Sequence, residues 1–327
     1  VSPIAPLMPG AARPAREIVG SMLRYFLRRT LIAIPTLFAL ITISFFMIHA
    51  CPGGPFDGNR KATPEVMANL NRAYHLDEPV YQQFGRYVWG VLHLDFGPSF
   101  KYRDYTVSEL LLLGFPISLE IGLWAILIAT ALGMAVGTVA ALKQNSAIDY
   151  AVMSFGMTGV AVPTFITSPV LQLAIGDGLR WLPVAGWDGG WQHKILPILA
   201  LSLPPVAVIS RLTRGSMIES LRSNHVRTAR AKGLGMPLTV LRHALLGGLL
   251  PTLAYLGPAI AGIVTGSVVI ERTFSIPGIG RYFVEAATNR DYTLVMGSVI
   301  VYGTLIIIAN LVVDLAYSLV DPKVRYD

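Results

Sequence analysis

The sequence predicts an all-α integral membrane protein with six transmembrane helices. Of its 327 residues 53% are hydrophobic and only 14% charged, too little charge to cover a soluble protein of this length. Six apolar segments reach the roughly 20 residues that a helix needs to cross a bilayer. They are Thr30–Ala50, Ile117–Ala141, Tyr150–Ile175, Ile195–Thr213, Leu249–Ile270 and Leu294–Val320. Six spans return both termini to one side. On that side lie the tail to Arg29, the loop around Lys143, the loop Arg211–Gly247 and the tail after Val320, which together hold 15 Lys and Arg against five acids. The short loops of the other face, Asp177–Lys194 and Glu271–Thr293, hold five of each. The basic side is therefore expected to be the cytoplasm, with both termini in it.

The same numbers exclude other classes. A net charge of +7 with no recognition motif is explained by basic inner loops and points to no nucleic acid. The lone Cys51 permits no internal disulfide or cysteine-rich metal site; a core or boundary role is expected for it. There is no GxxxxGK[ST] loop to bind ATP, and no HExxH, GxSxG or paired Asp within a span, so an enzyme is not expected.

Taken in order, residues 1–21, rich in Pro and Ala, read as a flexible extension ahead of Met22, which is the more natural start. The first span is too long for a signal-peptide core and has no convincing cleavage site. Residues 51–116 form a long external segment. Thr63 and Pro64 open one amphipathic helix towards Tyr74, and Pro79 a second with Phe84, Tyr87, Val88 and Val91 on one face. These helices are placed to lie on the membrane, to cap the external mouth of a path, or simply to pack on the spans. The "TVSE" at Thr106–Glu109 has capping-box spacing and predicts a short helix ended by Gly114 and Pro116. Prolines then punctuate the third span (Pro163, Pro169), the fourth (Pro197, Pro204, Pro205) and the fifth (Pro251, Pro258). Their freed carbonyls suit helices that line an interior, which favours transport over anchorage. "GMAVG" (Gly133–Gly137) and "GIVTG" (Gly262–Gly266) have the spacing of close helix contacts.

Ionisable residues in the spans are Glu120, Arg211 and Asp314, with His49 at a boundary. Asp314 falls towards the basic face, where Arg28, Arg29, Arg211 and Arg214 are candidate partners; a structural ion pair is the expectation, a transport role the alternative. The basic loop 211–247 carries seven Lys or Arg and one acid. Ser223 or Asn224 can cap a helix over His225–Lys232, and Gly233 can end it. On that helix Arg227 and Arg230 lie on one side, Thr228, Ala229 and Lys232 on the other. So short a helix must dock onto something: either anionic lipid or a groove in a cytoplasmic partner.

Several of these stretches resemble one family. "RTARAKG", Arg227–Gly233, is similar to the EAAxxxG loop of binding-protein-dependent ABC importer permeases, with Arg227 and Thr228 in place of Glu and the first Ala, and Ala229 and Gly233 kept. "LRHALLGGLLP" (Leu241–Pro251), "ERTFSIPGIG" (Glu271–Gly280, with Pro277 and Gly278) and "NLVVDLAYSLVDPKVR" (Asn310–Arg325) fit the oligopeptide, dipeptide and nickel branch. "LRRTLIAIPTLFALITISFFMI" and "LDFGPSFKYRDYTVSELL" look closest to the B-type oligopeptide permease. The resemblance covers Met22–Asp327.

It implies a type I importer permease fold over residues 22–327, in the bacterial inner membrane, with no cofactor of its own. Its implied partners are a second related permease, two cytoplasmic ATPases that bind ATP and Mg, and an external peptide-binding protein. The coupling loop 211–247 would meet an ATPase through Asn224, Arg227, Thr228, Ala229, Arg230, Lys232 and Gly233. Glu271, Pro277, Gly278 and Gly280 mark the external motif. The competing class is a secondary carrier or channel that works without ATP.

Overall fold

The computed structural model describes residues 15–50, 71, 75–102, 104–188 and 190–320. Cys51 and the helix expected from Thr63 to Tyr74 lie outside the described residues. Among the described residues the regular structure is helical, apart from one isolated bridge between Pro98 and Thr106.

Helix α1 runs Ala15–Ala50 and so begins within the stretch read as a flexible extension. Ala15, Glu17, Met22 and Leu23 are good helix formers that continue the span backwards. Helix α2, Val80–Leu92, follows Pro79 as expected. Its Phe84, Tyr87, Val88 and Val91 pack on the cluster built from Val107, Leu111 and Leu294, which favours packing on the spans for that face.

Helix α3, Val107–Leu142, corrects the expectation of a separate short helix. The Thr106–Glu109 capping box is present, but the helix continues through Gly114 and Pro116. Burial of Leu110 and Leu111 in the α2 cluster compensates the bond that Pro116 cannot make, and Gly114 admits the backbone of Gly278 and Ile279.

The third span is not one rod. Helix α4, Ala147–Ala161, and α5, Thr164–Leu171, which continues into a π-helical turn at Gln172–Gly178, meet at a bend of 107°. Val162 adopts φ −90°, ψ 114°, the extended backbone that a following proline imposes. Helix α6, Trp191–Leu221, carries Pro197, Pro204 and Pro205 and is unbroken. It is the most buried of the apolar helices, and its neighbours hold it. Next come α7, Asn224–Ala231, and α8, Met236–Thr273, with a π-helical stretch at Val240–Ala244. The described residues end with α9, Ile279–Asn289, and α10, Tyr292–Val320. Among the described residues five helices are long and apolar enough to cross a membrane, six with the bent pair counted as one span.

Helix α6 forms the centre, packed against α3, α8 and α4, while α1 attaches chiefly through α10. The glycines of α3 allow it to approach α6 closely. A Cβ on Gly133 would lie 2.6 Å from Cγ2 of Ile209, and one on Gly137 2.8 Å from Cβ of Thr213. The second glycine pair differs: Gly262 has open space beside it, and Gly266 only touches Leu201.

Candidate coupling and translocation site

The basic loop folds as its caps require. Ser223 has the extended backbone of an N-cap, and Lys232 closes α7 with its N–H bonded to Thr228 O at 3.1 Å. Gly233 stands at φ +86°, a left-handed position that costs glycine least; its N–H donates to Arg230 O and that of Leu234 to Ala229 O, the usual way to satisfy a helix end. The inward face corrects the helical-wheel reading. Val226 and Ala229 are both buried, and Val226 joins a cluster with Ala141 of α3, Met217 of α6 and Val240 and Ala244 of α8. Thr228 is exposed instead, with Asn224, Arg227, Arg230, Lys232 and Gly233. Val226 therefore holds α7 to its own chain, and the face that remains exposed is polar and cationic. His225 adds a bond from its ring to His243 O at 3.0 Å.

Helices α6 and α8 are tied together beneath α7. Thr213 and Thr252 share a bond of 2.9 Å, Ser216 donates to Gly248 O, and Ser220 donates to Ala244 O at 2.7 Å. The two serine hydroxyls serve carbonyls next to the π-helical stretch and Pro251, where the regular bonding of α8 is interrupted. Arg214, expected as a partner for Asp314, instead grips Asp149 of α4 with Nε and Nη2. Asp149 sits at the start of α4, where it also accepts from Asn145 N at 2.9 Å. Asp314 pairs with Arg29 at 2.7 Å, one of its four candidates. Arg211 is exposed and makes no ion pair among the described residues. The wheel placed these residues at the same end of the molecule but could not say which helices are neighbours: α6 packs on α4, and α10 on α1.

The tied helices form two walls of a groove of about 320 Å³. Pro204 and Pro205 of α6, Tyr255, Pro258 and Gly262 of α8, and Thr164 just after the α4–α5 bend line it. None of its lining side chains is charged. Its three prolines cannot donate to the carbonyls of residues 200, 201 and 254, four positions earlier. Tyr255 and Thr164 carried no local signal in the sequence.

At the opposite end, Glu271 is fully buried at the end of α8. Its Oε2 accepts from Gly280 N at 2.7 Å and Arg281 N at 3.4 Å, so a carboxylate caps the start of α9, where helix N–H groups are unpaired. A Cβ on Gly280 would lie 2.5 Å from Cα of Val268 and 2.9 Å from Oε2 of Glu271, and one on Gly278 would also strike Glu271. Pro277 lies in the tight turn that Gly278 N closes onto Ile276 O at 2.9 Å. Two further carboxylates clamp the segment before α3. Asp291 accepts from Ser99 Oγ at 2.5 Å and from the amides of Phe100 and Lys101. Glu285 accepts from Tyr102, from Lys101 Nζ at 3.2 Å and from Arg281 at 3.0 Å. Burial raises the Glu285 carboxyl, but bonds from Tyr102, Arg281 and Lys101 outweigh it and hold it down at about 2.

Residues 129–326 match the family "Binding-protein-dependent transport system inner membrane component", and residues 22–119 its N-terminal companion. The chain belongs to this family. It is 53% identical over 306 residues to the oligopeptide transport system permease protein OppB of Salmonella typhimurium and equally so to that of Escherichia coli K12, covering 93% of this chain and 100% of each relative. The dipeptide transport system permease protein DppB of Bacillus subtilis is 40% identical over 304 residues, 93% of this chain and 98% of that protein. The protein is thus a multi-pass inner membrane component, and α4 to α10, with the groove and α7, fall inside the main family match.

Proposed function

We propose that this chain is the permease subunit of an ATP-driven oligopeptide importer and forms half of its translocation path. The single observation that carries the reading is the unbroken connection from α7, through the Val226 cluster and the Ser216 and Ser220 bonds, to the walls of the Tyr255 groove. The α7 face lies in the cytoplasm with both termini, in keeping with the basic excess of that side. There Arg227, Arg230 and Lys232 meet one of two ATPases, which bind ATP and Mg and carry out hydrolysis; this chain is not catalytic. When the ATPases close, α7 moves as a body and carries the cytoplasmic ends of α6 and α8 with it, which opens or closes the groove. An uncharged wall with the hydroxyls of Thr164, Tyr255 and Thr265 suits a peptide: it offers partners to the backbone and selects no side-chain charge. Selection then rests with an external binding protein, which docks at the clamped α9 end, and a second related permease supplies the facing wall.

Reconstitution tests this directly. Proteoliposomes holding both permeases, both ATPases and the binding protein should take up a radiolabelled tripeptide only with ATP. Uptake driven by a proton or sodium gradient without the ATPases would overturn the reading in favour of a secondary carrier.

A further inference from the structure

A second cavity, on another face of α8, has a different character. It is a crevice of about 210 Å³ between α3, α8 and α10, walled by Leu119 and Ile126, Ile260 and Val264, and Leu305 and Ala309. Its polar residues are Ser118, Ser267 and Tyr302, which lie together at one end. Glu271 closes that end from behind: Ser118 Oγ, Glu271 Oε2 and the Tyr302 hydroxyl all converge on Gly278 and Gly280. Oε1 of Glu271 and the Tyr302 hydroxyl are buried there without a hydrogen bond among the described residues. The closed end is thus polar and tightly packed, and the rest is aliphatic.

Depth identifies the occupant. On α3 the polar end lies within a turn of Glu120, whose carboxylate meets Lys194 at 2.5 Å. Lys194 lies over the rings of Trp187 and Trp191, and Trp124 meets Trp191 edge-on. An ion pair ringed by tryptophans is the signature of a membrane–water interface. From that level the crevice runs from Tyr302 to Val312 along α10, about 15 Å by helical rise. One leaflet of a hydrocarbon core about 30 Å thick has the same depth. The crevice also opens sideways, at Leu123 and Val312, which are 51% and 58% exposed.

We propose that this crevice is a lipid site that takes one acyl chain of a phospholipid from the leaflet at the α9 end, aligned with α3 and α10. Gly122 provides the room: a Cβ there would stand 3.6 Å from Cγ2 of Ile263, an ordinary contact, so a larger side chain fills the crevice without displacing backbone.

The test is photolabelling of the complete transporter, as it purifies from membranes, in liposomes of phosphatidylethanolamine with a diazirine in the acyl chain. Adducts on residues 118–126 and 302–312 should exceed those on the exposed α1 side chains Leu31 and Ile32 by about tenfold. Gly122→Phe should remove the excess and leave the α1 adducts unchanged; Ala309→Phe is the second plug should the first fail to assemble. Labelling equal to that of α1 in the wild type overturns the proposal, as does crevice labelling that persists in an assembled plugged variant. Protection of the crevice, with Leu123→Cys cross-linking to a neighbouring subunit, also overturns it and identifies a protein occupant.

Discussion

The two ends of the molecule use charge in opposite ways. At the α9 end, Glu271, Glu285 and Asp291 are buried or nearly so, and their oxygens join segments far apart in sequence, Ser99 to Asp291 across 192 positions. At the α7 end, Arg227, Arg230 and Lys232 stand exposed, and the helix that carries them is held to the apolar cluster through Val226. One end is a clamped platform; the other, on the function proposed above, is a handle. The difference teaches that net charge says little by itself; what counts is whether a charge is matched inside the chain or left for another molecule.

The sharpest way to break this contrast is to damage the platform by packing. Gly280→Val places side-chain atoms against Val268 and Glu271, and overpacking of this kind costs about 1–3 kcal/mol or more. The variant should melt several degrees lower in detergent and accumulate poorly, whereas Gly262→Val, with open space around it, should not. On the handle, reversing both charges in Arg227→Glu with Arg230→Glu should leave insertion and melting unchanged. Peptide-stimulated ATP hydrolysis should fall about tenfold, the equivalent of about 1.4 kcal/mol of docking. Unaltered hydrolysis would remove the cationic face from coupling. Gly233→Ala sharpens the point at lower cost. Forcing Cβ into the left-handed region costs about 1 kcal/mol, enough to loosen the last turn of α7, and hydrolysis should drop by less than in the charge reversal.

How much of this was legible in the sequence follows from how far each signal reaches. Caps and breakers are written in neighbouring residues, so Ser223 and Gly233 bounded α7, Thr106 and Glu109 marked the start of α3, and Pro79 the start of α2. Proline was read correctly as a perturbation but not as to where it bends. Pro163 bends an exposed pair of helices, whereas Pro204 and Pro205 sit in α6, which its neighbours keep straight. The helical wheel of α7 separated Arg227 from Ala229 yet could not say that Val226 and Ala229 face the chain itself. The Asp149–Arg214 pair joins residues 65 positions apart, and Tyr255 meets Thr164 and Pro204 only through the packing of three helices. No local pattern encodes either.

The smallest effect tests the platform by pH. The Glu285 carboxyl is held at about 2 against an ordinary 4.5, by bonds from Tyr102, Arg281 and Lys101 that outweigh its burial. A depressed folded value means that the ionised form stabilises: the contribution is complete above about 4.5 and is lost as the pH falls from there towards 2. The same bond acts in the other direction on Tyr102, whose phenol is raised by burial and by the neighbouring carboxylate. Between pH 7 and 5 the amide exchange of the segment from Pro98 to Thr106 should therefore change only as the intrinsic rate changes with pH, with its protection factors unchanged. Below 4.5 that protection should decline progressively, while protection of α7 shows no matching step. Glu285→Gln should show weaker protection already at pH 7 and lose the step, because an amide keeps the shape of the clamp but not its charge. A step that survives the substitution would transfer the titration to another group of the platform and leave Glu285 as packing only.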